Sequence, residues 1–273
     1  MRQRWWTVAG IVIVCYSFFP LLWMISLAFK PPSDIVSGQP QFWPTAWTLD
    51  NFTEVFSQPL FTRALINSIG ISLLATLLSV VIAMFAAYAI ARLEFRGKKL
   101  LLSLALGIAM FPQAALVGPL FAMWRGLGIY DTWIGLIIPY LTFALPLSIW
   151  TMSAFFRQIP WEMEYAAQVD GATQWQAFRK VIVPLAAPGV FTTAILTFFF
   201  CWNDFLFAIS LTSTNNARTV PAALAFFQGA SMFQSAVPYV MAASVIVTIP
   251  VVILVLIFQR RIVAGLTSGA VKG

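Results

Sequence analysis

The sequence predicts an all-α, polytopic membrane protein, one transmembrane domain over residues 1–273 with six spanning helices. Three observations predict it. Hydrophobic residues make up 60% of the chain and charged residues 9%, with a mean hydropathy of +0.87, the balance of a membrane protein. Apolar runs long enough to cross a bilayer recur at residues 6–29, 65–91, 100–123, 132–155, 189–209 and 240–258. Finally, all of the 16 Lys and Arg residues except Lys30, Arg63, Arg125 and Arg218 fall on the side that both termini share. The positive-inside rule puts that side in the cytoplasm, and the net charge of +7 is then juxtamembrane charge rather than a nucleic-acid surface.

The first run follows Arg2 and Arg4. It exceeds the roughly 7 to 15 apolar residues of a signal peptide and reads as an uncleaved span. Residues 30–64 are polar and rich in Pro, with Phe42, Trp43 and Trp47 as membrane-interface anchors or, alternatively, a docking surface for an extracytoplasmic partner. The second span ends in Arg92, Arg96, Lys98 and Lys99; a short turn with Gly126, Gly128 and Asp131 separates the third and fourth; Arg157 closes the fourth. Pro112, Pro139, Pro146 and Pro250 interrupt spans three, four and six, each removing a backbone hydrogen bond. A fifth span, an outer loop over 210–239, a sixth span and a basic tail complete the chain.

Cys15 and Cys201 both fall inside spans, where a thiol packs as a small apolar group. With no histidine and no G-x-x-x-x-G-K-[ST] phosphate loop, the sequence offers no catalytic residue and no metal site. If ATP drives this protein, another subunit hydrolyses it.

Between spans four and five lies a polar island, residues 160–188. Pro160 suits the first position of a helix, and Glu162 and Glu164 put negative charge at the positive end of its dipole. Asp170-Gly171 ends that helix, because Gly accepts the left-handed backbone of a C-terminal stop. Thr173 with Gln176 fits a capping box that opens a second helix, expected to run to about Val181, ahead of Pro184. An amphipathic connector on the membrane surface would carry similar caps.

The residue identities add more. Glu164-x-Ala166-Ala167-x-x-Asp170-Gly171-Ala172, followed by Val181-x-Val183-Pro184, resembles the EAA loop of ATP-binding-cassette import permeases. The resemblance implies the type I importer permease fold and a coupling helix that docks on a cytoplasmic ATPase. Glu164 would then offer its carboxylate to a cation there, and Ala166 and Ala167 would allow close approach. Tyr165 departs from the family, standing where many relatives carry a second Glu.

Within span five, Trp202-Asn203-Asp204-Phe205 resembles the Trp-Asn-acid-aromatic element of carbohydrate-specific import permeases. Asp204 is the sole acid in a predicted span, costing about 2.5 to 3.5 kcal/mol on insertion scales, so it should face a cavity or a partner. Two readings stand. The four residues line the sugar path, through aromatic faces and hydrogen-bonding groups, or they hold this subunit against another.

The likeness runs over nearly the whole chain and is similar to the smaller permease subunit of the maltose-transporter group. It implies a multi-pass protein of the bacterial inner membrane with both termini cytoplasmic. The implied partners are a second, homologous permease, two copies of an ATP-binding subunit that carry the ATP and Mg, and an extracytoplasmic sugar-binding protein. The 210–239 loop would reach toward that protein's sugar cleft. Residues 177–185 and 269–273 resemble trehalose importers of the mycobacterial type, implying a disaccharide or oligosaccharide, trehalose first. A self-sufficient secondary transporter or channel is the competing class, and Asp204 alone is thin provision for its ion sites.

Overall fold

The computed structural model describes the backbone of residues 2–36, 41–227 and 236–268, and the side chains of 5–35, 41–227 and 236–259. Residues 269–273, part of the trehalose-importer likeness, lie outside the described residues. The described chain is helical throughout: α1 Arg2–Ala28, α2 Pro32–Val36, α3 Asp50–Ser57, α4 Pro59–Arg92, α5 Lys98–Ala109, α6 Gln113–Leu127, α7 Trp133–Gln158, α8 Trp161–Val169, α9 Gln174–Ala177, a π-turn Phe178–Ile182, α10 Val183–Leu185, α11 Ala187–Trp202, α12 Leu206–Leu211, α13 Val220–Leu224 and α14 Val237–Ser268. Four of these, α1, α4, α7 and α14, are long and apolar enough to span a membrane alone. Six spans result if each of two bent pairs counts as one: α5 with α6, bent by 87°, and residues 174–185 with α11, bent by 71°.

Three expectations are corrected in detail. The polar segment 30–64 contains α2, α3 and the opening of α4, which starts at Pro59 because Pro suits a first helical position. Of the four span prolines only Pro112 stands at a break; its extended backbone (ψ 115°) ends α5 and starts α6, whereas α7 and α14 run unbroken through Pro139, Pro146 and Pro250. Span five stops at Trp202 and resumes as α12, so residues 189–209 are not one helix.

The chain forms two compact units. The first comprises residues 1–65 and 220–253, with a core around Val55, Phe61, Val220 and Ala243. In it Asn51, 1% exposed, donates to the carbonyls of Ala28 (2.9 Å) and Lys30 (2.7 Å), satisfying groups that the end of α1 leaves open.

The second comprises residues 66–219 and 254–273 and holds two cores. One gathers Trp124, Leu136, Tyr140, Phe143 and Phe207; the other, Met152, Phe156, Phe178 and Ile182. A buried hydroxyl line crosses between helices, from Ser79 to Ser148 (3.2 Å) to Thr197 (2.9 Å). Beside it, a cavity of about 40 Å³ lies between α7 and α11. At two places backbone and ring meet so closely that only glycine fits: a Cβ on Gly70 would lie 2.3 Å from the Trp133 ring, and one on Gly189 2.4 Å from the Phe155 ring.

At 34 residues and about 1.5 Å per residue, α4 is roughly 51 Å long, well beyond a hydrocarbon core of about 30 Å. Its last turns, with Tyr88 and Arg92, therefore reach the loop 160–188.

Candidate functional site

The loop is built from its caps. Pro160 is the N-cap of α8. At the other end Gly171 has φ +87° and donates to Gln168 (3.0 Å), while the Ala172 N–H reaches back to Ala167 (2.9 Å). This is a Schellman stop, and it needs the residue without a Cβ. The predicted capping box is present: Thr173 Oγ1 accepts from the Gln176 N–H (3.3 Å), and Gln176 Oε1 accepts from the Thr173 N–H (2.9 Å).

The second helix does not stop before Pro184. It widens into the π-turn and continues to Leu185. A proline ring in an α-helix meets the carbonyl four residues earlier, here that of Lys180, and the wide turn shifts that carbonyl away.

The carboxylate expected to face a partner faces inward. Glu164 is 5% exposed; its Oε1 accepts from the Tyr88 hydroxyl, and its Oε2 lies 3.7 Å from Arg92 Nε. Arg92, also 5% exposed, donates through Nη2 to the Ile159 carbonyl at 2.7 Å and lies 4.4 Å from the centre of the Trp161 ring. The guanidinium thus meets an acid, a carbonyl and an aromatic face, but Arg92 Nε and Glu164 Oε2 make no hydrogen bond of their own, so that side of the buried pair is held by charge alone. Within this chain the Glu164 carboxylate is thus engaged by Tyr88 and Arg92.

The exposed ridge of α8 is apolar: Tyr165, and one turn on Val169, which is 87% exposed. Ala166, Asp170 and Gly171 are exposed beside it, and Ala167 and Ala172 are half-buried. The predicted set is thus brought together, with every member but Glu164 at or near the surface.

The second predicted group divides. Trp202 is buried and stacks on Phe198, 5.4 Å between centroids. Asn203 turns back on its own helix, donating to the Phe199 carbonyl at 2.8 Å. Asp204 Oδ2 accepts from the Tyr140 hydroxyl (2.9 Å) and the Ala208 N–H (3.0 Å), so one oxygen ties α7 to the opening of α12. Phe205 alone presents an exposed ring. Sequence reasoning missed Tyr88, Arg92, Trp161 and Tyr140. Arg92 carried a signal, a cation directly after an apolar span, but one that only reported orientation.

Farther along, Asp131 accepts from the backbone N–H groups of Ser213 (3.0 Å) and Thr214 (3.2 Å), and Asn67 donates to the carbonyls of Asn215 and Arg218 at 3.0 Å each. The start of the 210–239 loop is thereby fixed.

Comparison with known proteins places this geometry. Residues 79–268 match the family described as binding-protein-dependent transport system inner membrane component. The trehalose transport system permease protein SugB of Mycobacterium tuberculosis is 56% identical over 272 residues, covering 100% of this chain and 98% of that protein. The trehalose/maltose transport system permease protein MalG of Thermococcus litoralis is 42% identical, covering 97% and 95%. In fold, the chain is similar to one from the crystal structure of a bacterial ABC transporter involved in import of the polysaccharide alginate, with a TM-score of 0.80 at 23% identity, covering 95% and 97%. From loop to spans, the chain belongs to the inner membrane components of binding-protein-dependent transport systems.

Proposed function

We propose that this chain is one of two permease subunits of an ATP-driven sugar importer, with trehalose as its substrate. The observation that carries the reading is full-length likeness to a trehalose permease at 56% identity. A second relative named for trehalose and maltose supports it. The partners are a second, homologous permease, two copies of a cytoplasmic ATP-binding subunit holding ATP and Mg, and an extracytoplasmic binding protein. A related alginate transporter has been crystallised with its sugar-bound periplasmic protein.

In this reading the loop 160–188 docks on the ATPase through the ridge of Tyr165, Ala166 and Val169. Apolar and small side chains on a capped, turn-ended helix suit a cleft that closes around them. ATP hydrolysis resides on that partner, and both termini and the loop are cytoplasmic. The Trp202–Phe205 break lies at the sugar path or the permease interface.

The test is purification of the tagged chain from its native host in mild detergent. A second permease and an ATPase should co-purify, and the accompanying binding protein should take trehalose in preference to maltose. Recovery of the chain alone, from conditions that preserve other membrane complexes, would end the importer reading. Preference for another sugar would end the trehalose assignment and leave the importer.

A further inference from the structure

We infer that Arg92 and Tyr88, on the last turns of α4, are the positioning residues that join the loop helix α8 to a membrane span, so that movement of α8 becomes movement of α4. This rests on the proposed coupling role of the loop. Three contacts from one guanidinium carry it. Arg92 holds the Ile159 carbonyl just before α8, the Trp161 ring in its first turn and the Glu164 carboxylate one turn on. Tyr88, one turn before Arg92 on α4, adds its hydroxyl to the same carboxylate.

The grip of Arg92 and Tyr88 is on one end of α8. Its other end, Val169 to Gly171, is exposed, and a Cβ added at Gly171 would meet nothing within 4 Å. A lever has this form: one end fixed to the element to be moved, the other free to be held by a partner. The aromatic packing beneath supports the fixed end, with Tyr88 edge-on to Phe178 (4.7 Å) and to Phe156 (6.1 Å). Because Arg92 and Glu164 are both nearly inaccessible, removing one leaves the other charge buried and unmatched, and the joint loosens.

The experiment uses the complete importer, reconstituted in liposomes with its binding protein, and compares Glu164→Gln, Arg92→Gln, Tyr88→Phe and the exchange Arg92→Glu with Glu164→Arg. Three quantities are measured: ATPase subunit retained on purification, ATP hydrolysed, and sugar taken up per ATP. The single variants should retain the ATPase and hydrolyse ATP within about twofold of the parent, while sugar per ATP falls roughly tenfold, a size common for coupling between sites. The exchange should recover part of that loss. Tyr88→Phe keeps the ring and removes only the hydroxyl, so it folds even if the charge variants do not, and it should lower sugar per ATP severalfold.

Normal sugar per ATP in Tyr88→Phe and the single charge variants would overturn the inference. So would loss of the ATPase from Glu164→Gln, which would assign the carboxylate to the partner interface. Failure of the parent complex to retain any ATPase would instead overturn the importer reading itself, and the two failures are distinct.

Discussion

At Asp204 a single carboxylate oxygen holds two donors, the Tyr140 hydroxyl at 2.9 Å and the Ala208 N–H at 3.0 Å. Tyr140 is wholly buried, so Asp204→Ala strands a hydroxyl and uncaps α12 together. The expected destabilisation is about 1–3 kcal/mol, read as a lower melting midpoint of the detergent-purified importer, with Asp204→Asn falling less because it keeps an acceptor. A loss of uptake with an unchanged midpoint would instead place Asp204 on the sugar path. Gly189→Ala is a packing test: its Cβ would press the Phe155 ring at 2.4 Å, and overpacking of this kind costs about 1–3 kcal/mol. That Asp204 needed a partner was legible from its isolation in an apolar run. Which partner was not, because nothing in local sequence ties residues 64 positions apart.

The loop 160–188 is where sequence and structure agree most closely, since caps act over three or four residues. Gly171 gives the sharpest element-scale expectation. At φ +87°, Gly171→Ala meets no neighbour but is strained by about 1–2 kcal/mol and should lower uptake severalfold. Gly171→Pro cannot take the conformation at all and removes the N–H bonded to Gln168, so uptake should vanish while an immunoblot still finds the chain in the membrane. Full uptake by the proline variant would remove the loop from coupling. The breaks in spans three and five were less legible. An apolar run reports that a segment is buried in lipid or protein, and Pro112 looked no different from Pro139, which α7 absorbs without a break. The fate of a proline depends on whether neighbouring helices take up the freed carbonyl.

At the scale of the molecule the apolar runs anticipated the spanning helices, and the charge asymmetry adds an expected orientation. Orientation is testable with one cysteine at a time in a chain carrying Cys15→Ser and Cys201→Ser. Asn215→Cys should react with an impermeant maleimide in intact spheroplasts, and Val169→Cys only after the membrane is opened; both positions are exposed. In the assembled importer Val169→Cys should be shielded until the ATPase is stripped away. The reverse pattern of access would invert the topology. Burial follows the same logic: from Trp5 to Ile25 α1 has no buried residue, whereas half of the spanning window in α7 is buried, so that part of α1 presents its side chains to lipid or to another subunit.

The π-turn at Phe178–Ile182 bears on how chains of this kind can change length. Val183 reaches back five residues to the Phe178 carbonyl, so this turn holds one residue more than an α-helix would. Losing one residue here would restore regular helix and swing the Pro184 ring onto a carbonyl, an injury that replacing Pro184 would heal. The extra residue and the proline are thus epistatic: each is tolerated in the company of the other, and descendants of this sequence should gain or lose them as a pair.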